Sequence, residues 1–122
     1  MNAVSAQTKN VFLSTSFTLK AEQNVKSCYS EDFPLAIPNA GMQIFGTIKS
    51  SGYVFFSIMT DQQYNAVQHA LCSDFRSTGI LLAGEITSYS VNWTPPSSGR
   101  YHFVFLNTES SADLVSITLW TQ

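Results

Sequence analysis

Ser88 to Trp120 reads Ser-Tyr-Ser-Val-Asn-Trp-Thr-Pro-Pro-Ser-Ser-Gly-Arg-Tyr-His-Phe-Val-Phe-Leu-Asn and, after a polar link, Leu-Val-Ser-Ile-Thr-Leu-Trp. Tyr89, Val91 and Trp93 alternate with Ser88, Ser90 and Asn92, a period of two that belongs to strands. Tyr101, Phe103 and Phe105 alternate with His102, Val104 and Leu106, so this strand is apolar on both faces. Val115, Ile117 and Leu119 alternate with Ser116, Thr118 and Trp120. Pro95-Pro96 ends the first strand because neither residue can donate to a ladder, and Ser97-Ser98-Gly99 turns the chain into the second. Three strands and two turns specify a sheet strongly and chemistry hardly at all.

Working toward the N-terminus, Leu13, Thr15, Phe17 and Leu19 share one face of a half-buried strand over residues 11–20. Asn24–Tyr29 and Phe33–Ile37 are shorter extended pieces. Pro34 places the second at an edge or in a connection. Met42–Ser50 and Tyr53–Met59 read as a hairpin turned at Ser51-Gly52. The second arm is apolar on both faces except at Ser57, which makes it the core strand. Thr60-Asp61-Gln62-Gln63 has the form of a capping box, and Tyr64, Val67 and Leu71 follow at helical spacing. A loop over 73–79 then leads to a strand over 80–83 and another over 85–93. About eight short strands with one short helix near 61–71 predict an all-β, two-sheet antiparallel sandwich of jelly-roll type. Residues 1–10 form a flexible tail or edge strand, and residues 11–122 make one β-sandwich domain.

The 122 residues are 44% hydrophobic and only 11% charged, with a net charge of −2, against a usual charged share of about 25%. The surface is therefore polar rather than ionic, as in secreted and cell-surface β-proteins. Such a charge gives no electrostatic reason to bind nucleic acid. No stretch approaches the roughly 18 apolar residues of a membrane span, and an extracellular or cell-surface location implies that a leader has been removed. Cys28 and Cys72 are too far apart in sequence for a Cys-x-x-Cys redox or zinc pair. A single disulfide would stabilise by about 4 kcal/mol on the chain-entropy model. Two buried thiols are the alternative, and spacing does not decide between them.

Three segments carry a resemblance: Phe56-Ser57-Ile58-Met59-Thr60-Asp61-Gln62-Gln63-Tyr64-Asn65, Tyr89–Pro95, and Gly99-Arg100-Tyr101-His102-Phe103-Val104-Phe105-Leu106-Asn107. Over about half of the chain they resemble small prokaryotic extracytoplasmic β-sandwiches, similar in outline to the GOLD domain of secretory-pathway cargo receptors. The resemblance implies a jelly-roll-like sandwich outside the membrane, used for interaction or assembly, and brings no catalytic residue. The two cysteines and the missing membrane anchor depart from it.

Candidate chemistry is sparse. His102 reads as a hydrogen-bonded structural histidine rather than a ligand or base, and His69 as a solvated one. Gly-x-Ser-x-Gly is absent, so a small hydrolase built on Cys72, His102 and Asp74 is the lowest alternative. Glu31, Asp32, Asp61, Asp74, Glu85, Glu109 and Asp113 stand at turns as caps and solubilisers, and a calcium site on Asp32 and Asp74 lacks the Asp-x-Asp-x-Asp series. No cofactor or metal is implied. Asn92-Trp93-Thr94 is an N-glycosylation acceptor sequence. Tyr53, Tyr89, Tyr101, Trp93 and Trp120 would serve a carbohydrate-binding module if they made a coplanar exposed set. Packing is the expected role of Tyr89, Tyr101 and Trp93, and Trp120 is expected to be an exposed partner contact. The segment before and including Val11-Phe12-Leu13 has the composition of a donated strand. The expected function is therefore a non-enzymatic module for protein-protein interaction or self-assembly at a cell surface or in a filament, with carbohydrate binding as the alternative.

Overall fold

The strand β3 (Ile44–Thr60) organises the molecule. The structure, a computed structural model, describes residues 10–21, 29–67 and 72–122. Along one side β3 pairs with β4 (Leu81–Trp93) over nearly its whole length. Along the other it pairs first with β6 (Asp113–Thr121) over Phe45–Ser50 and then with β5 (Gly99–Asn107) over Phe55–Thr60. The edge strands β1 (Asn10–Leu19) and β2 (Tyr29–Ile37) extend these two halves, giving the order β1-β6-β3-β5-β2. Six antiparallel strands thus make one curled sheet, with the short helices α1 (Asp61–Val67) and α2 (Cys72–Ser77) between β3 and β4.

Among the described residues six strands and two helices stand where about eight and one were expected; the expected piece over 24–29 lies, but for Tyr29, outside the described residues, and the glycines explain most of the remaining difference. At Ser51-Gly52 the chain bends without reversing, and Gly52 does not take the positive φ of a tight hairpin turn. A Cβ on Gly52 would lie 3.1 Å from the Asp113 carboxyl carbon, and the Leu114 amide donates to Ser51 Oγ at 2.9 Å. The Ser-Gly pair is used to hand β3 from one neighbour to the next. Gly84, with φ +79°, sits where the register with β3 shifts between Phe56 and Ser57. It makes a bulge, so the two strands expected at 80–83 and 85–93 are one. Of the helix expected near 61–71 the structure describes α1 over Asp61–Val67; residues 68–71, with His69 and Leu71, lie outside the described residues, and α2 over Cys72–Ser77 was expected as loop.

The curl brings the two ends of the sheet face to face. Phe17 of β1 meets Phe33 of β2 with ring centroids 5.0 Å apart and Phe105 of β5 at 5.4 Å. Phe105 also packs on Phe56 at 5.0 Å. Around this aromatic knot lie Leu19, Ile44, Ile48, Val54, Ile58, Phe103, Val115, Ile117 and Leu119, all essentially fully buried. Burial of each such side chain contributes about 1.5–3 kcal/mol. On the other face of β5, Val104 and Leu106 form a second cluster with Met59, Val67 of α1 and Phe75 of α2. The strand predicted to be apolar on both faces is buried from Tyr101 through Asn107. Val91, Trp93, Tyr101, Phe103 and Phe105 are core as expected, and Tyr89 is half-buried against Phe56.

Candidate functional site

The face of β5 that packs against α1 carries Arg100, His102, Val104 and Leu106, and of its two polar side chains His102 is the buried one, with 4% of its side chain exposed. Pro34 of β2 is its direct cross-strand partner, so the carboxylate of Asp32, two residues back on the same face, reaches it diagonally. His102 Nδ1 lies 2.9 Å from Asp32 Oδ2, and Nε2 lies 2.7 Å from Asp61 Oδ1 at the start of α1. The Tyr64 ring stacks on the imidazole at 4.3 Å, nearly parallel. The capping box fixes α1 in place: the Gln63 amide donates to Thr60 Oγ1 at 3.1 Å, and the Thr60 amide donates to Gln63 Oε1 at 2.9 Å.

A carboxyl group on each ring nitrogen sets a proton requirement. A neutral imidazole donates from one nitrogen only, so either both nitrogens or one carboxyl must carry a proton. Burial raises the Asp32 carboxyl above its ordinary value, against the lowering effect of His102 and Arg100, and the charge on Asp61 adds to the rise. Asp61 is lowered, chiefly by its hydrogen bond from His102. Burial also raises the Tyr64 phenol, with Asp32 and Glu31 contributing. Asp32, His102 and Asp61 therefore form a clasp that joins β2, β5 and α1, and neither ring nitrogen is left to activate a Ser or Cys.

Beside the clasp, Thr60, Asp61 and Gln62 face Ser97, Ser98, Gly99, Arg100 and Tyr101 across an open cleft of about 260 Å³. Arg100 Nε stands 3.9 Å from Asp61 Oδ1. The Tyr101 hydroxyl donates to the Ser97 carbonyl at 2.8 Å and lies 3.0 Å from Ser97 Oγ, which holds the 97–100 turn. A second hollow, about 300 Å³ and mainly apolar, opens where β1 and β2 part; Val11, Phe12, Ile37, Pro38, Met42 and Ile44 line it.

The residues singled out from sequence are dispersed. Val11 and Phe12 are 55% and 42% exposed and, with Leu13, already belong to β1, paired with β6. They are part of this chain's own sheet, not a strand free for donation. Residues 1–9 lie outside the described residues. Trp120, opposite Val11 and Phe45, is half-buried rather than exposed. Asn92 is exposed within β4, its amide oxygen accepting from Gln43 Nε2 at 2.6 Å. Cys28 lies outside the described residues, and Cys72 opens α2 and is not a free thiol. Among the five candidate platform aromatics only Tyr53 is well exposed, so no coplanar sugar-stacking set forms.

The carboxylates correct the reading as caps and solubilisers in three places. Asp32 and Asp61 are committed to His102, and Asp113 is buried beside Gly52. No group of three His, Cys, Asp or Glu able to hold a metal occurs among the described residues. No described helix is long and apolar enough to cross a membrane.

No family model matches the chain, and no curated protein matches it. Its fold is similar to that of a solved structure described as PirA, with a TM-score of 0.51 and 12% identity, covering 98% of this chain and 100% of that one. At that identity the likeness concerns the fold alone. A mutant of a family 29 carbohydrate binding module aligns with a TM-score of 0.39 and 8% identity over 89% of this chain and 92% of that one. A second mutant from family 29 gives 0.36 and 7% over 90% and 87%. Neither alignment is close enough to carry an argument about the site. The GOLD-domain resemblance is neither supported nor opposed by these neighbours.

Proposed function

We propose that this chain is a non-enzymatic, extracytoplasmic β-sandwich, the two ends of its curled sheet forming the two layers, and that it self-assembles through the outer edge of β1. The observation that carries this reading is the composition of that edge. An edge strand exposes unpaired backbone groups, which natural proteins guard with charge, proline or irregularity. β2 is guarded by Glu31, Asp32 and Pro34, and β4 by its bulge and Glu85. β1 has neither charge nor proline in Asn-Val-Phe-Leu-Ser-Thr-Ser-Phe-Thr-Leu, and its only irregularity is the bulge at Phe12.

Two copies of β1 can therefore pair antiparallel without like-charge repulsion, the self-complementary geometry of a two-fold dimer. The exposed Val11 and Phe12 beside the apolar hollow add area to such a contact. Light scattering coupled to size exclusion over a range of concentrations tests the proposal. Wild type is expected to dimerise with rising concentration. Ser14→Lys with Thr18→Lys, both on the outer face of β1, is expected to give a folded monomer, and Thr87→Lys on β4 is expected to have no effect. A wild type that stays monomeric, or a dimer lost with Thr87→Lys and kept with the β1 pair, would overturn the reading.

A further inference from the structure

We infer that the cleft between Asp61 and Arg100 is a binding site for a neutral polyhydroxylated ring, a saccharide unit. The inference is independent of assembly through β1 and uses a different part of the molecule. Its first support is that both walls are fixed before any ligand arrives. On one side the capping box sets the direction of Thr60–Gln63, and His102 holds Asp61 Oδ1 at 2.7 Å. On the other, the Tyr101 hydroxyl anchors the turn at Ser97, and the Gly41 amide donates to the Pro95 carbonyl at 3.2 Å just before it. The floor is the β3–β5 pairing of Thr60 with Tyr101. Groups already held in place lose little freedom on binding, which favours even a small ligand.

The second support is the match of charge. Asp61 and Arg100 border the same cleft with side chains 49% and 60% exposed, and their closest approach, 3.9 Å, is too long for a hydrogen bond. An anion would meet the Asp61 carboxylate, and a cation would meet the guanidinium. Neighbouring hydroxyls suit both, because a carboxylate accepts and a guanidinium donates to adjacent oxygens. Gln62 and the hydroxyls of Ser97 and Ser98 lie on the same rim. In this site recognition comes from hydrogen bonds, in keeping with Tyr53 alone being well exposed among the five candidate platform aromatics.

The test is a two-dimensional amide NMR titration with galactose, mannose, glucosamine and glucuronate to tens of millimolar. Saturable shifts are expected with a neutral sugar, confined to Thr60–Gln62 and Ser97–Tyr101. Arg100→Ala and Gln62→Ala remove exposed side chains, so the same spectra report that the fold is kept. Arg100→Ala is expected to weaken binding about tenfold or more, the loss expected for a hydrogen bond to a charged group. The inference is overturned if no sugar shifts the cleft amides, if glucuronate or glucosamine binds better than the neutral sugars, or if the shifts survive Arg100→Ala unchanged.

Discussion

The two outermost strands of the sheet are held by opposite means. β2 is a charged, proline-bearing edge fastened from outside: Asp32 is tied through His102 to α1, and Phe33 reaches inward to Phe17 and Phe105. β1 is an uncharged edge held by its ladder to β6 and by its inward side chains Leu13, Phe17 and Leu19. The difference shows that polar network and apolar packing are separable ways of securing a strand. The networked edge also carries the charges and the proline that guard against pairing with other chains, and the packed edge carries neither.

Phe105 is where the two edges share support, so its removal should produce the largest effect. Phe105→Ala deletes a fully buried ring that touches Phe17, Phe33 and Phe56. The expected loss is about 3–5 kcal/mol in urea unfolding. A loss under about 1 kcal/mol would mean that the sheet does not close around this knot. Next in size is the bond proposed between Cys28 and Cys72, which would tie α2 to the chain just ahead of β2. Reduction is expected to cost about 2–4 kcal/mol, and two thiols reactive before reduction would refute the bond. Removing His102 comes third. Ala at this position leaves Asp32 without its partner beside a cavity, and the expected cost is about 2–3 kcal/mol, less than a fully buried pair because Asp61 is half exposed. Amide exchange should accelerate in β2 and α1 and stay unchanged in β1; equal acceleration in both strands would erase the distinction between the edges.

What was legible in the sequence follows the same division. Period-two alternation marks Tyr89–Trp93, Tyr101–Leu106 and Val115–Trp120 because each inward face is buried, and Pro34 marks β2 as an edge because proline cannot donate to a ladder. The capping box at Thr60–Gln63 is local and was readable as written. Gly52 and Gly84 were not, since a glycine breaks a pattern equally whether it turns the chain, bends it or bulges it. Burial was foreseeable for His102, but its partners were not. Asp32 reaches it only through the register of β2 on β5, which pairs Pro34 with His102, and Asp61 only through where α1 sits. The one local signal was a histidine at an apolar strand position, which requires polar partners on whatever strand lies beside it.

Acid titration separates the two carboxylates of the clasp, with opposite signs. Asp61, lowered in the folded protein, contributes stability above its unfolded value of about 3.9 and loses it as pH falls through the folded one. Asp32, raised, favours the protonated folded form. Its contribution is full below about pH 3.9 and is lost as pH rises through the folded value. Asp61→Asn is therefore expected to cost more at neutral pH than under acid, whereas Asp32→Asn should cost less at neutral pH than near pH 4. Urea unfolding of both variants across this range checks the crossing, and parallel profiles would contradict it.

The smallest effect is expected on β1. Ser16 Oγ lies 3.0 Å from Ser116 Oγ, and Ser14 Oγ lies 3.4 Å from Thr118 Oγ1, both on the exposed face. These are the hydrogen bonds on the β1 side that most resemble the clasp, yet water competes for each of them. Cross-strand pairs of this kind contribute about 0.2–1 kcal/mol, and an exposed hydroxyl left alone is solvated at little cost. Ser16→Ala, Ser116→Ala and the double variant should form a cycle with a coupling of about 0.5 kcal/mol or less. The self-association proposed for β1 should also persist in all three, because the outer backbone edge is untouched. A coupling as large as the loss from His102→Ala would show that β1 too is secured by polar contacts, and the contrast between the edges would then lie in their charge alone.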